Sequence, residues 1–215
     1  MRNYIREPIN SLTHFIGAIL SCIALIAMII KVSFTDSSSM ELTAVIIFGI
    51  SMILLYTTSA TYHMVISSES VLNFLQRLDH SMIFILIVGS YSPFCLIALN
   101  KKLGFTLFSV VTVCALIGVI FKMAWFKCPR MLSTTIYIVM GWLAIFVFKP
   151  LLLTLSGNGL FLLICGGLLY TIGGLIYAFK PKFPLFKHWG FHEIFHLFIM
   201  MGSLYHFLCI YFYVL

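Results

Sequence analysis

The feature that most constrains this sequence is a succession of long apolar stretches joined by short polar connections. A helix needs about 20 mostly apolar residues to cross the hydrocarbon core of a bilayer. Seven segments have this character, the fifth being the shortest: Ser11–Val32, Leu42–Ile66, His80–Leu99, Phe105–Phe126, Thr134–Phe148, Leu160–Phe179 and Phe191–Val214. We therefore expect an all-α integral membrane protein, a single seven-transmembrane helix bundle over residues 1–215.

The composition points to the same class of protein. Hydrophobic residues make up 62% of the chain and charged residues only 9%, whereas soluble domains carry about 25% charged residues. The net charge is +7, and the basic residues lie between the apolar stretches. We read this excess as a topology signal and expect no nucleic-acid partner. The expected location is the cell membrane, as a multi-pass protein whose partners are membrane lipids.

The basic residues also predict an orientation, because Lys and Arg are concentrated in cytoplasmic connections. With the N-terminus inside, nine basic residues are cytoplasmic: Arg2, Arg6, Arg77, Lys122, Lys127, Arg130, Lys180, Lys182 and Lys187. Four are then outside: Lys31, Lys101, Lys102 and Lys149. We therefore predict a cytoplasmic N-terminus and, after seven spans, a C-terminus outside.

Polar side chains from three distant helices converge in this topology. His63 is near the cytoplasmic end of the second helix, and Asp79 is at the beginning of the third. His192 and His196 are in the first turns of the seventh helix, four residues apart and thus on one face. Ser59 lies one turn from His63. The expected result is three imidazoles and a carboxylate at one depth in the membrane.

Three neutral imidazoles are a suitable ligand set for zinc and leave the fourth tetrahedral position for water. Two simpler interpretations stay open. A single histidine at a helix end is commonly a hydrogen-bonding group at the membrane interface, and a pair four residues apart can be a polar stripe on a helix. The depth shared with a third histidine and an aspartate favours the metal site.

The segment His192–His196 also matches the H-E-x-x-H pattern of zinc metalloproteases. In those enzymes Glu193 would be the general base. Here, however, the motif opens the last span and no acidic residue follows it. His206, the remaining downstream histidine, lies ten residues further on, about 15 Å along the helix. It cannot complete the same site without a break in the helix.

Several short motifs, taken together and in this order, resemble the hemolysin III family, the bacterial branch of the progestin and adipoQ receptor (adiponectin receptor-like) superfamily. They are spread over essentially the whole chain: Asn10–His14, Ser59–His63, Leu78–His80, Gly89–Phe94 and His192–His196.

This resemblance implies a seven-helix bundle with zinc near the cytoplasmic face, and metal ligands His63, His192 and His196. It implies that Asp79 holds the water at the metal, that Ser59 supports the site, and that Glu193 is not the base. The wider superfamily is similar to alkaline ceramidases, which suggests hydrolysis of a lipid amide. The name of the branch refers instead to haemolysis attributed to some members.

Two functions therefore stay open from the sequence. The first is a zinc-dependent hydrolase of a lipid amide or ester, with Asp79 and Ser59 as catalytic residues and the substrate inside the bundle. The second is a membrane-perturbing or pore-forming cytolysin, or a sensor, in which zinc is structural. His14 is a candidate neighbour of the metal site, and His80 is expected to face the membrane interface.

Overall fold

Seven long helices make up most of the chain that the structure describes. The computed structural model describes residues 4–35, 38–125, 128–182 and 189–215. Within these ranges the helices are α1 (Pro8–Ser33), α2 (Ser39–Met64), α3 (Glu69–Ala98), α4 (Lys101–Ala124), α5 (Arg130–Thr154), α6 (Gly157–Phe179) and α7 (Phe191–Tyr213). Each is long and apolar enough to cross a bilayer. The architecture agrees with the predicted seven-span bundle of a multi-pass membrane protein.

Helix α3 begins far earlier than its apolar stretch indicates, whereas the other helices begin within four residues of theirs. Helix α3 begins at Glu69 rather than His80, because its polar first turns extend beyond the end of α2, where Val71 and Phe74 are exposed. Asp79 is therefore inside α3 and not at its beginning. Helix α5 begins at Arg130. Phe126, the predicted end of the fourth span, lies outside the described residues.

Polar side chains at the ends of the spans cap three of the helices. Ser38, Asn100 and Ser156 each accept a hydrogen bond from a backbone N–H group in the first turn of α2, α4 and α6. Such caps satisfy donors that have no partner within the helix.

The order of packing brings the two ends of the chain together. Helices that are consecutive from α1 to α4 pack against each other, α5 packs against α3 and α6, and α6 packs against α7. Helix α1 contacts both α2 and α7. Because α2 ends where α1 and α7 begin, the end of α2 and the start of α7 meet beside the first turns of α1.

Helix α5 is irregular in its middle, and a tyrosine of α3 forms hydrogen bonds with the backbone groups of this irregular segment. Its regular first part ends at Gly141, and residues Trp142–Val147 form a tighter 3₁₀ segment. The Tyr91 hydroxyl accepts a hydrogen bond from the Ala144 backbone N–H group (2.8 Å) and donates to the Gly141 carbonyl oxygen (2.8 Å). Irregular backbone inside a membrane needs partners of this kind within the protein.

Candidate metal centre and adjoining cavity

Three histidines from α2 and α7 form a cluster at the end of the bundle where both helices meet. His63 and His196 are buried, and His192 is partly buried. One ring nitrogen of each residue lies within 4.8 Å of the other two. This group of side chains could hold a metal ion.

The spacing of two of these nitrogens matches a tetrahedral ion. The Nε2 atoms of His63 and His192 are 3.3 Å apart. Metal–nitrogen bonds of about 2.0–2.1 Å in tetrahedral geometry separate two ligand nitrogens by about 3.3–3.4 Å. This separation is compatible with a shared zinc ion as well as with a hydrogen bond between the two rings.

A glutamate before α1 orients the first of these histidines. Glu7 Oε2 lies 2.7 Å from His63 Nδ1, and the side-chain amide of Asn10 donates to the same oxygen (3.0 Å). The hydrogen bond to His63 lowers the pKa of Glu7 to about 2, although partial burial acts in the opposite direction. An ionised Glu7 can only accept, so His63 donates from Nδ1. Its Nε2 lone pair is then free for a metal.

The backbone fixes Glu7 in this position. The Glu7 N–H group donates to the carbonyl oxygen of His63 (3.0 Å), and the Arg6 N–H group donates to that of Met64 (3.3 Å). Arg6 also forms an ion pair with Glu7 (3.2 Å). The segment before α1 is therefore tied to the last turn of α2, which carries the ligand that Glu7 contacts.

Helix α1 supports the second buried histidine as well. Thr13 Oγ1 donates to the carbonyl oxygen of Asn10 (3.0 Å) and lies 3.3 Å from His196 Nδ1. Because the Thr13 hydroxyl donates its proton to the backbone, its oxygen can accept a hydrogen bond from the Nδ1–H group of His196. This arrangement leaves Nε2 of His196 as its free nitrogen. His63 and His196 therefore both have a neighbour at Nδ1, and both would have Nε2 available for a metal.

His14 packs directly against the cluster. Its ring stacks on His196 with the centroids 3.6 Å apart and the planes at 11°. His14 is only 3% exposed, and neither of its ring nitrogens has a hydrogen-bond partner among the described residues. His14 is therefore an immediate neighbour of the predicted ligands.

Asp79 and Ser59 also lie at this end of the bundle. The register between α2 and α3 is fixed by close contact of Gly89 with Ser51, and by a hydrogen bond from Ser92 to the Ala44 carbonyl oxygen. Continuing this antiparallel register brings Asp79 level with the last turns of α2.

The Asp79 carboxylate interacts there with the Ser59 hydroxyl and with His63. Asp79 and Ser59 both line the same cavity as His192 and His196. The structure thus brings together all five of the residues selected from the sequence. Their roles in metal binding and catalysis stay predictions.

The remaining polar residues of the motifs lie elsewhere. Glu193 accepts a hydrogen bond from the Gly190 N–H group (2.8 Å) and so caps the start of α7. His206 stacks on Tyr170 with the centroids 5.2 Å apart, deep in the bundle. His80 faces Tyr177, with Nε2 3.3 Å from the hydroxyl. The expectation that His80 faces the membrane interface is therefore wrong.

A largely apolar cavity of about 400 Å³ extends from the histidine cluster into the bundle. Asp79, His192 and His196 line one end of it, while Leu107, Leu151 and His206 line the other. This volume is in the range of small-molecule sites. One polar end and an apolar remainder suit a ligand with a polar group attached to a hydrocarbon chain.

Glu7, which directly precedes the first span, is a residue of this site that the sequence analysis does not select. A signal was available: Glu7, Asn10 and His14 follow one another at spacings of three and four residues. Such spacing places side chains on one face of a helix. That face contacts the end of α2 and the beginning of α7.

Comparison with known proteins supports the family resemblance that the sequence motifs indicate. The chain matches the Haemolysin-III related family over residues 2–207. It is 42% identical over 210 residues to the Hemolysin-3 homolog of Bacillus subtilis (strain 168), which covers 97% of this chain and 95% of that protein. It is also 42% identical over 216 residues to Hemolysin-3 of Bacillus cereus, covering 100% of this chain and 95% of that protein.

The resemblance read from the sequence motifs is thereby confirmed over essentially the full length of the chain. The seven helices, the order of the motifs and the two relatives agree, and this chain belongs to the Haemolysin-III related family.

Proposed function

We propose that this protein binds zinc through His63, His192 and His196. Three imidazoles are a common catalytic zinc set, and the 3.3 Å separation of two Nε2 atoms supports tetrahedral coordination. The contact of Glu7 with His63 supports it further, because a ligating histidine usually donates its other N–H group to a carboxylate or carbonyl.

We further propose that the bound metal serves hydrolysis of a lipid amide or ester. A bound zinc ion would polarise the substrate carbonyl and lower the pKa of a coordinated water from about 16 toward 7. Asp79 would orient the attacking water and accept its proton. Ser59, which interacts with Asp79, would hold that carboxylate in place or donate to the oxygen on which negative charge develops.

The observation that carries this proposal is the position of the cluster at the polar end of an apolar cavity of about 400 Å³. A metal that only joined helices would need no such space beside it. A lipid could place its amide or ester group near Asp79 and its acyl chain among the apolar side chains deeper in the bundle.

A second function is favoured by the names of the two relatives, Hemolysin-3 and Hemolysin-3 homolog. The protein would then perturb membranes as a cytolysin, or act as a sensor, with zinc as a structural link between α2 and α7. The spans carry few charged residues that could line a wide aqueous pore. We therefore propose hydrolysis, rather than pore formation, as the main function.

We also propose that the protein lies in the cell membrane with the histidine cluster on the cytoplasmic side. The support is the nine-to-four distribution of basic residues between the two sides. Arg2, Lys127 and Lys187 among the nine lie outside the described residues.

The orientation predicts the accessibility of two short segments. A single cysteine introduced at Lys182, in a variant without the native cysteines, should react with a membrane-impermeant maleimide only after the cells are opened. A cysteine at Leu215 should react in intact cells. Reaction at Lys182 in intact cells would contradict the proposed topology.

The role of Glu7 predicts a graded loss of zinc affinity. Loss of an outer-shell partner typically weakens metal binding about 10–100-fold. Glu7→Gln keeps an acceptor for His63 Nδ1 but removes the negative charge. Its zinc affinity should therefore fall less than that of Glu7→Ala. The measurement is zinc affinity by competition with a chelator. Glu69→Gln, an exposed carboxylate on α3, is the matched control. Wild-type affinity in both Glu7 variants would show that Glu7 does not orient the ligand.

The two carboxylates of the motifs predict opposite effects on activity. Removal of a general base typically costs about 10²–10⁴ in rate. Asp79→Asn should therefore retain zinc and lose hydrolysis, whereas Glu193→Gln should retain both, because Glu193 caps the start of α7. Zinc content and release of fatty acid from an N-acyl lipid should be measured for both variants.

Two results would overturn this assignment. An inactive Glu193→Gln beside an active Asp79→Asn would favour the metalloprotease-like role of the H-E-x-x-H segment. If the zinc-loaded parent protein hydrolyses neither lipid amides nor lipid esters, zinc as a structural link becomes the better account.

A further inference from the structure

A second pocket lies beside the large cavity and has a different chemical character. Its volume is about 190 Å³, and side chains of α3, α4, α5 and α6 line it. It shares His80, Ile83, Tyr137 and Tyr177 with the large cavity, whereas Lys122 and Arg130 line only the smaller pocket. None of the described residues that line it is acidic.

Lys122 places a buried ammonium group in this pocket. The residue is 6% exposed, and Nζ donates to the Ser133 hydroxyl oxygen at 3.0 Å. Ser133 in turn donates to the sulfur of Cys128 (3.3 Å), so its oxygen is oriented to accept. An ammonium group has three donors, and this neutral partner supplies no opposite charge. Among the described residues, no carboxylate forms an ion pair with Lys122.

Arg130 adds a second cation and is held in place by an aromatic ring. Its guanidinium carbon lies 4.6 Å from the centroid of the Tyr177 ring, and Nη1 donates to the Tyr177 carbonyl oxygen (3.4 Å). Arg130 is also the first residue of α5, whose N-terminus has no side-chain cap and no acidic residue in its first turn. The positive end of the helix dipole therefore adds to the two side-chain charges.

Two cations held at the edge of a membrane without an anionic partner are unfavourable unless a ligand supplies the charge. We propose that this pocket binds a phosphate group, supplied by the headgroup of an anionic membrane phospholipid. A guanidinium and an ammonium group are a common pair for phosphate recognition. Basic pockets between transmembrane helices are suited to such headgroups. Free inorganic phosphate shares this chemistry, and the experiment separates the two sources.

The proposed phosphate site is independent of the proposed zinc hydrolase. None of its lining residues is a predicted metal ligand or a predicted catalytic residue. Loss of zinc or of hydrolysis would leave the phosphate site unaffected, and failure of the phosphate site would leave the zinc proposal unaffected.

The test uses the full-length protein, stripped of lipid, in a neutral detergent. Binding of phosphatidylglycerol, phosphatidylcholine and inorganic phosphate is measured by titration calorimetry for the parent, Lys122→Met and Arg130→Gln. Each substitution removes a charge-assisted hydrogen bond to the phosphate, so each variant should bind phosphatidylglycerol at least about tenfold more weakly. Lys102→Met, an exposed lysine at the opposite end of α4, should bind like the parent.

Lys122→Met should remain folded, because the substitution removes a buried charge that has no ionic partner. Arg130→Gln provides an independent result in any case. Preferential binding of phosphatidylglycerol that depends on both cations supports a lipid headgroup. Equally tight binding of inorganic phosphate with the same dependence supports the phosphate site but assigns it to the free ion. Absence of binding by either anion, or binding that neither variant weakens, would overturn the proposal.

Discussion

The scarcity of water inside a bilayer is the constraint on which the rest of this structure depends. Every polar group carried into the membrane must find its partner within the protein. Backbone groups meet this requirement by forming helices, and the irregular middle of α5 meets it through the Tyr91 hydroxyl. The same rule makes the polar side chains informative, because each one needs a partner or a ligand.

Helix α1 has a larger part in the proposed site than its sequence suggests. None of the predicted metal ligands lies on it, yet Glu7, directly before it, contacts His63, while Thr13 contacts His196 and His14 stacks on the His196 ring. Because α1 packs against both α2 and α7, it can fix ligands from two helices at once. The start of the chain thus contacts the Nδ1 atoms of two imidazoles that come from different helices.

The sequence was sufficient to predict the seven helices and the meeting of α2 with α7, because length and hydropathy determine spans and spans determine topology. It was less informative where polar residues continue a helix beyond the membrane, as in the first turns of α3. Glu7 is not selected from the sequence because a charged residue before a span is ordinarily solvated, and the backbone hydrogen bonds of Arg6 and Glu7 to the end of α2 fix its actual position. The inward orientation of His80 likewise depends on Tyr177, which is far away in the sequence.

The proposed sharing of one zinc ion by α2 and α7 is tested most directly by the metal content of purified protein. Elemental analysis should find about one zinc per chain in the parent. His63→Ala should lose most of this zinc, because it removes the single ligand on α2. His206→Ala should retain it, because His206 lies deep in the bundle beside Tyr170. Full zinc content in the His63→Ala protein would contradict the account, since α7 alone would then hold the metal.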